Sequence, residues 1–162
     1  MIGLVILQVA LIALNAIFAG TEIAFVSVNE ARLGQLEEEG NKRAKKLKRL
    51  MQNPSGFLAT IQVAITLSGF LGAAFASDSF ADKLTQVLLR IGIPVPAAVL
   101  DTISVILVTL IISYFSIVFG EMVPKRIAMR NAEQFSLRMS GSVQVIAKLF
   151  APLDWLLTKS TN

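Results

Sequence analysis

The stretch that decides the fold is VLDTISVILVTLIISYFSIVF, residues 99–119, which runs directly into GEMVPK, residues 120–125. About 20 predominantly apolar residues are enough for a helix to cross a bilayer. A carboxylate inside or at the end of such a helix costs roughly 2.5–3.5 kcal/mol on insertion scales. Glu121 is therefore expected to face a polar cavity, a partner or an ion.

Two further segments pass the same length test, residues 2–28 and residues 57–77, and the third span is taken to reach residue 120. The first segment has neither a positive start nor an Ala-x-Ala cleavage site, which favours a retained helix over a signal peptide. The chain is 54% hydrophobic and only 16% charged, whereas soluble domains have about 25% charged residues. The pattern predicts an all-α membrane protein with a single transmembrane domain over residues 1–162.

The absence of Cys and His limits the chemistry. Disulfides, thiolate zinc sites and iron–sulfur clusters are excluded, as is most transition-metal and proton-shuttle chemistry. Two carboxylates at membrane depth, Glu22 and Glu121, instead indicate a hard cation bound by oxygen ligands. The basic residues cluster beside apolar segments, so we expect contact with anionic lipid headgroups and no binding of nucleic acid.

The connecting loops predict the orientation. Seven Lys and Arg residues separate the first two spans, but only Lys83 and Arg90 separate the second from the third. The positive-inside rule then places the N-terminus outside, and residues 29–54 and the C-terminus in the cytoplasm. The expected location is the cell membrane, with several passes.

The first loop, residues 30–52, is predicted to form a basic helical hairpin. Residues 30–39 and 42–51 suit two short helices broken at Gly40-Asn41. The acidic run Glu37-Glu38-Glu39 precedes the basic cluster, so the two helices could pair. The hairpin is either a solvated layer against the headgroups or a regulatory docking surface.

The tail, about residues 131–157, is expected to lie at the membrane interface with Trp155 at headgroup level. Lys148, Pro152 and Asp154 argue against a fourth span. Apolar residues recur at helical spacing along it: Phe135, Met139, Val143, Ile146, Phe150, Leu153 and Leu157.

Each span has one side unsuited to lipid. The three polar or small stripes are Asn15, Phe18 and Glu22, with Thr21 beside them; Gln62, Thr66, Gly69 and Ala73; and Thr109, Ser113, Ser116 and Gly120. Ordinary helix packing explains the small residues, but it does not explain the two carboxylates. Glu22 could instead pair with an Arg or a backbone group, and Glu121 could be an exposed helix end or pair with Lys125 or Arg126.

Pro124 predicts a break in the third span. Proline has no N–H and disfavours helical conformation in the residue before it, here Val123. The helix is expected to end or kink just after Glu121, which would leave carbonyl groups free to bind a small divalent ion.

The whole chain resembles the transmembrane domain of the CorC/CorB and cyclin M magnesium transporters, including their hemolysin-like bacterial branch. The matching stretches are FAGTEIA at residues 18–24, TIQVAITL at 60–67 and FGEMVPK at 119–125. The resemblance implies a transporter and not an enzyme. It also implies three spans, a cytoplasmic belt of short helices, a homodimer, and a largely dehydrated Mg²⁺ held by side-chain oxygens, with efflux coupled to Na⁺.

Glu121 is the predicted charged ligand of this ion. The other residues expected to line the cavity are Glu22, Thr21, Thr66, Ser68 and Ser116. Many members of the family carry Asn on the second span where this chain has Ile65 and Gly69, so Thr66 or Ser68 would have to serve.

Family members usually continue into paired nucleotide-sensing CBS domains, so we expect this chain to be the membrane part of a longer protein. The alternative function is a non-transporting anchor or dimerisation domain that tethers or regulates those cytoplasmic domains.

Overall fold

The computed structural model describes residues 2–52 and 54–161, and every regular element in that part of the chain is helical. Helices α1 (Ile2–Ser27), α4 (Pro54–Ala76) and α6 (Ala97–Ile117) occupy the predicted spans. Three helical segments there are long and apolar enough to cross a membrane, namely Ile2–Ser27, Pro54–Arg90 and Ala97–Arg130. The predicted all-α class with three membrane-length helices is confirmed, and the chain is a multi-pass membrane protein.

The first loop folds into the short helices α2 (Glu30–Glu38) and α3 (Lys42–Met51). Gly40 has a φ of +83°, which allows the reversal between them. Asn41 caps α3, because its Oδ1 accepts hydrogen bonds from the backbone N–H groups of Arg43 and Ala44 at 3.0 and 3.3 Å. The two helices also pair through their charges, since Lys48 Nζ donates to Glu37 Oε2 at 2.6 Å.

This hairpin packs onto the ends of α1 and α4. Leu33 and Leu47 are buried in one cluster with Phe25 of α1 and Phe57 of α4. The two phenylalanine rings lie 3.9 Å apart between centroids. Full burial of a leucine side chain stabilises by about 1.5–3 kcal/mol, so the hairpin belongs to the hydrophobic core and is more than a solvated layer.

The segment between the second and third spans is largely helical. Helix α4 continues through a π-turn (Ser77–Ala81) into α5 (Asp82–Arg90). Gly92, with a φ of +78°, lies in the turn that leads to α6. Thr85 Oγ1 donates to Asp101 Oδ1 at 3.2 Å, which ties α5 to the first turns of α6 and gives Asp101 a polar partner.

The third span does not end at Pro124, so the prediction of a helix end just after Glu121 is wrong; its alternative, a kink there, stays a prediction. Helix α6 passes through a second π-turn (Val118–Met122) into α7 (Val123–Arg130). Val123 is helical, with φ −65° and ψ −48°, and its N–H donates to the carbonyl of Val118, five residues earlier. Pro124 lies in the first turn of α7, where a missing N–H is tolerated. The wider turn therefore accommodates the proline without ending the helix.

Helix α8 (Ala132–Thr161) is continuous and contains Pro152. The predicted interfacial face falls largely outside the described residues, because those side chains are not described: Val143, Ile146, Phe150, Leu153 and Leu157, with Lys148 and Asp154. The placement of α8 at the membrane interface stays a prediction. The side chain of Asp78, in the predicted outer loop, also lies outside the description.

Candidate ion-binding site

Helix α1 is the central helix of the domain and carries a polar stripe. It packs against α4, α7, α8 and the second π-turn. Gln8, Asn15 and Glu22 follow one another at intervals of seven residues, so they share one face of the helix. Gln8 and Asn15 are both buried. Gln8 and Asn15 therefore point into the helix bundle, and both lie closer to the N-terminus of α1 than Glu22 does.

The second π-turn makes a close contact with this stripe. Asn15 Nδ2 donates to the carbonyl oxygen of Gly120 at 3.2 Å. That oxygen is available because Pro124, four residues later, has no N–H to donate to it. A Cβ on Gly120 would lie 3.2 Å from Asn15 Nδ2 and 3.4 Å from the carbonyl oxygen of Ile12. A larger residue here would therefore push against the Asn15 side chain and the backbone of α1, which favours glycine.

A small polar cavity, which we call the amide–serine cavity, lies between α1, α4 and α6. It has a volume of about 10 Å³, which is room for roughly one water-sized species. Its polar lining comes from Gln8, Asn15, Ser68 and Ser116, and its remaining lining from Leu11, Ile12, Gly69 and Gly72.

The amides of this cavity are only partly satisfied by the described residues. Within that part of the chain, both polar atoms of the Gln8 amide and the Oδ1 of Asn15 are buried and have no hydrogen-bond partner. An unpaired amide in an apolar environment costs about 1–3 kcal/mol by protein mutational data. Among bilayer-length helices, such groups are expected to meet a polar ligand.

The two carboxylates lie together, and both contact the same lysine, Lys125. Lys125 Nζ donates to Glu121 Oε1 at 2.9 Å and lies 3.1 Å from Glu22 Oε2. The side chains are only partly exposed, 29% for Lys125, 26% for Glu22 and 41% for Glu121. We call Glu22 and Glu121 the carboxylate pair; with Lys125 they carry a net charge of −1. The pairing of Glu121 with Lys125, left open by the sequence, is what the structure contains.

The predicted site residues therefore form two groups and do not meet at one point. Ser68 and Ser116 line the amide–serine cavity, and Glu22 and Glu121 meet at Lys125. The two groups are connected through the second π-turn, because Gly120 bonds to Asn15 and the next residue is Glu121.

Thr21 and Thr66 lie elsewhere. Thr21 Oγ1 donates to the carbonyl of Ile17 at 2.7 Å, and the residue lines a second small cavity beside Phe25. Thr66 is on the exposed side of α4. The predicted stripe of α4 shares that exposed side, namely Gln62, Thr66, Gly69 and Ala73, and Gly69 also borders the amide–serine cavity. The side of α4 that faces α1 instead carries Ser68 and Gly72.

Sequence reasoning did not select Gln8 and did not recognise how Asn15 is used. The signal was present in the seven-residue spacing of Gln8, Asn15 and Glu22, since two amides and an acid on one face of an apolar helix are unusual. The described residues contain no group of three or more Asp, Glu, His or Cys side chains that could hold a metal ion. Mg²⁺ needs only one or two carboxylates when other oxygens complete its octahedron, so the donor types suit that ion.

Comparison with known proteins identifies the family. The model of the cyclin M transmembrane N-terminal domain matches residues 6–162. The UPF0053 protein sll0260 of Synechocystis is 40% identical over 94% of this chain and 34% of its own length. The UPF0053 protein YhdT of Bacillus subtilis is 32% identical over 94% of this chain and 32% of its own length. A polyamine export protein of Haemophilus influenzae is 27% identical over 95% of this chain and 35% of its own length.

The chain therefore belongs to the family of cyclin M transmembrane N-terminal domains. It spans about a third of the length of the curated relatives that it matches.

Proposed function

We propose that this domain transports a divalent cation, Mg²⁺ foremost, and that the ion binds in the amide–serine cavity. The observation that carries the proposal is the set of buried, unpartnered amide atoms of Gln8 and Asn15 between membrane-length helices. Amide, hydroxyl and backbone oxygens are the ligands that Mg²⁺ takes in proteins. Ser68 and Ser116 supply the hydroxyls, and Glu121 supplies the charge from the adjoining π-turn.

Lys125 acts in this proposal as a resident counter-ion. While the cavity holds no ion, its ammonium contacts both members of the carboxylate pair and offsets one of their two negative charges. When Glu121 turns to the arriving cation, Lys125 stays with Glu22, so each carboxylate keeps a cationic partner. The direction we propose is efflux driven by a Na⁺ gradient.

We also propose a homodimer that uses the exposed side of α4. Gln62, Thr66, Gly69 and Ala73 lie on this side of one protomer and suit contact with a second helix better than contact with lipid. Nothing lies within 4 Å of a Cβ built on Gly69, so a partner backbone has room to approach. In the full-length protein, CBS-type domains would be the cytoplasmic partners.

Titration of Mg²⁺ into the detergent-purified chain tests the binding site. Glu121→Gln and Ser68→Ala should each weaken binding, Glu121→Gln by the larger factor because it removes the charge. Thr102→Val is the control, since it removes an exposed hydroxyl of α6 that lies outside both the cavity lining and the proposed dimer surface. Equal losses in Ser68→Ala and Thr102→Val would remove the cavity from the proposal, and an unchanged Glu121→Gln would remove its charged ligand.

Thermal unfolding with added Mg²⁺ distinguishes an ion-binding domain from a domain that only anchors cytoplasmic partners. A ligand of the native state stabilises by about 2.7 kcal/mol at a hundredfold excess over Kd. A domain that only anchors cytoplasmic partners would show no specific rise. Transport itself is measured in proteoliposomes loaded with a Mg²⁺ indicator under a Na⁺ gradient. Mg²⁺ flux that does not depend on the Na⁺ gradient would reject Na⁺ coupling but would not contradict the proposed binding site.

A second candidate cargo is an organic polyamine. The specific observation is that Glu22 and Glu121 already hold a primary ammonium, that of Lys125, at 3.1 and 2.9 Å. The Haemophilus relative is named as a polyamine exporter. A competition experiment between spermidine and Mg²⁺ tests this candidate. Spermidine should displace bound Mg²⁺ only if both ligands bind at Glu121.

A further inference from the structure

A basic groove lies between α3 and α8, away from the proposed ion site. It encloses about 400 Å³ and is lined by Arg43 and Lys46 of α3 and by Arg138, Ser140, Gly141, Ser142 and Val145 of α8. Three cationic side chains from two helices therefore converge on one space, and none of the lining residues is acidic.

The three cations of the groove have no carboxylate partner among the described side chains. Within the part of the chain whose side chains are described, no carboxylate lies within 4.0 Å of Arg43, Lys46 or Arg138. The hairpin does pair other cations: Lys48 lies 2.6 Å from Glu37, and Arg32 lies 3.7 Å from Glu133. The groove thus concentrates positive charge that the fold does not neutralise, which favours an anionic ligand.

The lining continues into an apolar surface along one face of α8. Arg138, Ser142, Val145 and Leu149 follow at intervals of four, three and four residues, so they form a single stripe. Val145 and Leu149 are 68% and 72% exposed. A ligand that follows this stripe meets positive charge and a hydroxyl first and apolar side chains next.

Ser140 shows at which level of α1 the groove lies. This residue lines the groove and also the small cavity that contains Thr21 and Phe25 of α1. Thr21 and Phe25 lie in the last two turns of α1, which ends at Ser27, within about 10 Å of the end of that membrane-length helix at 1.5 Å per residue. The groove therefore lies near the end of a membrane-length helix, where lipid headgroups are expected.

We propose that the groove is a specific site for an anionic phospholipid. Arg43, Lys46 and Arg138 would bind the phosphate, the Ser142 hydroxyl would donate to the headgroup, and an acyl chain would lie on Val145 and Leu149. A soluble phosphate compound shares the phosphate chemistry, but it leaves the two exposed apolar side chains without a partner. The amphiphilic order of the stripe favours the lipid.

The test counts bound lipid by native mass spectrometry of the purified chain in an uncharged detergent, with added phosphatidylglycerol or phosphatidylcholine. Phosphatidylglycerol should bind with one saturable site and phosphatidylcholine much more weakly. Each basic residue near a membrane surface is worth about fivefold in binding. Replacing Arg43, Lys46 and Arg138 together by Gln should therefore weaken phosphatidylglycerol binding by roughly a hundredfold.

The matched control replaces Lys42, Lys45 and Arg49 by Gln, which removes the same charge from α3 outside the groove. An equal loss in this control would show non-specific attraction and overturn the site, as would equal binding of the two lipids. Glycerol phosphate that binds as tightly as phosphatidylglycerol would also overturn the proposal and make the groove a site for soluble anions. Circular dichroism checks folding, and Arg138→Gln alone, expected at about fivefold, keeps the test decisive if the triple variant does not fold.

Discussion

Replacing Gly120 by Ala tests whether the second π-turn presses against α1 as the structure has it. The added Cβ would lie 3.2 Å from Asn15 Nδ2 and 3.4 Å from the carbonyl oxygen of Ile12. The amide of Asn15 is held by its bond to Gly120, and the carbonyl of Ile12 belongs to the backbone of a helix. The Asn15 amide can move only by weakening that bond, and the Ile12 carbonyl only by shifting α1 away from the π-turn.

The magnitude follows from three opposing contributions. Alanine is favoured over glycine by about 0.8–1.0 kcal/mol in a helix interior. Overpacking a tight contact costs about 1–3 kcal/mol, and weakening the Asn15 hydrogen bond costs about 1 kcal/mol more. The net expectation is a loss of stability of roughly 2 kcal/mol, a fall in Tm of about 4–8 °C for a chain of this size.

The assay is thermal unfolding of the purified chain, with Gly34→Ala as the matched control. Gly34 lies inside α2, and nothing lies within 4 Å of a Cβ built there, so the same substitution should raise or leave unchanged the Tm. Gly120→Ala should also reduce the shift in Tm caused by Mg²⁺, because Gly120 joins the amide–serine cavity to Glu121. A Gly120→Ala protein as stable as the Gly34→Ala protein would refute the close contact on which the site depends.

Three further predictions follow from other parts of the molecule. The mass in native detergent should be twice the 17.5 kDa protomer, and a monomer over a wide concentration range would count against the proposed interface. In this cysteine-free chain, a single Cys at position 92 should react with an impermeant reagent from outside and one at position 41 should not; the reverse result would invert the predicted orientation. The hydrogen bond from Lys48 lowers the pKa of Glu37 below its ordinary value of 4.5. A lowered acid pKa stabilises the fold above the unfolded value and loses that effect as the pH falls through the folded pKa. The difference in Tm between the wild type and Glu37→Gln should therefore shrink below about pH 4.5, and a difference that grows in acid would contradict this pairing.

The sequence predicts the elements of this fold well because each has a local signal. The length of the apolar segments identifies the spans, and Gly40-Asn41 marks the turn of the hairpin, where Gly40 supplies the positive φ and Asn41 the cap. The pairing of the hairpin also followed from its charge order, since the acidic run lies at the end of α2 and Lys48 lies in the last turn of α3.

The candidate site is harder to predict because it depends on how helices rotate against one another. The stripe of Gln62, Thr66, Gly69 and Ala73 and the stripe of Ser68 and Gly72 are both rich in small or polar residues, and the sequence alone does not say which one meets α1. The packing of Gln8 against Gly72 resolves the choice, because a Cβ on Gly72 would lie 3.3 Å from Gln8 Nε2. Pro124 also predicted a possible helix end that the structure does not have. The rules for proline describe its effect on an α-helix, whereas this chain forms a π-turn there.

The strength of the Lys125 contacts decides whether a resident lysine is compatible with ion transport. A buried ion pair would be costly to break, about 3–5 kcal/mol when one partner is removed. The Glu121 side chain is 41% exposed, however, and exposed pairs contribute about 0–1 kcal/mol. Releasing Glu121 is therefore inexpensive, and Lys125 keeps its contact to Glu22 at 3.1 Å. The arrangement pairs two acids with one lysine while no ion is bound, and it still frees one of them when a divalent cation arrives.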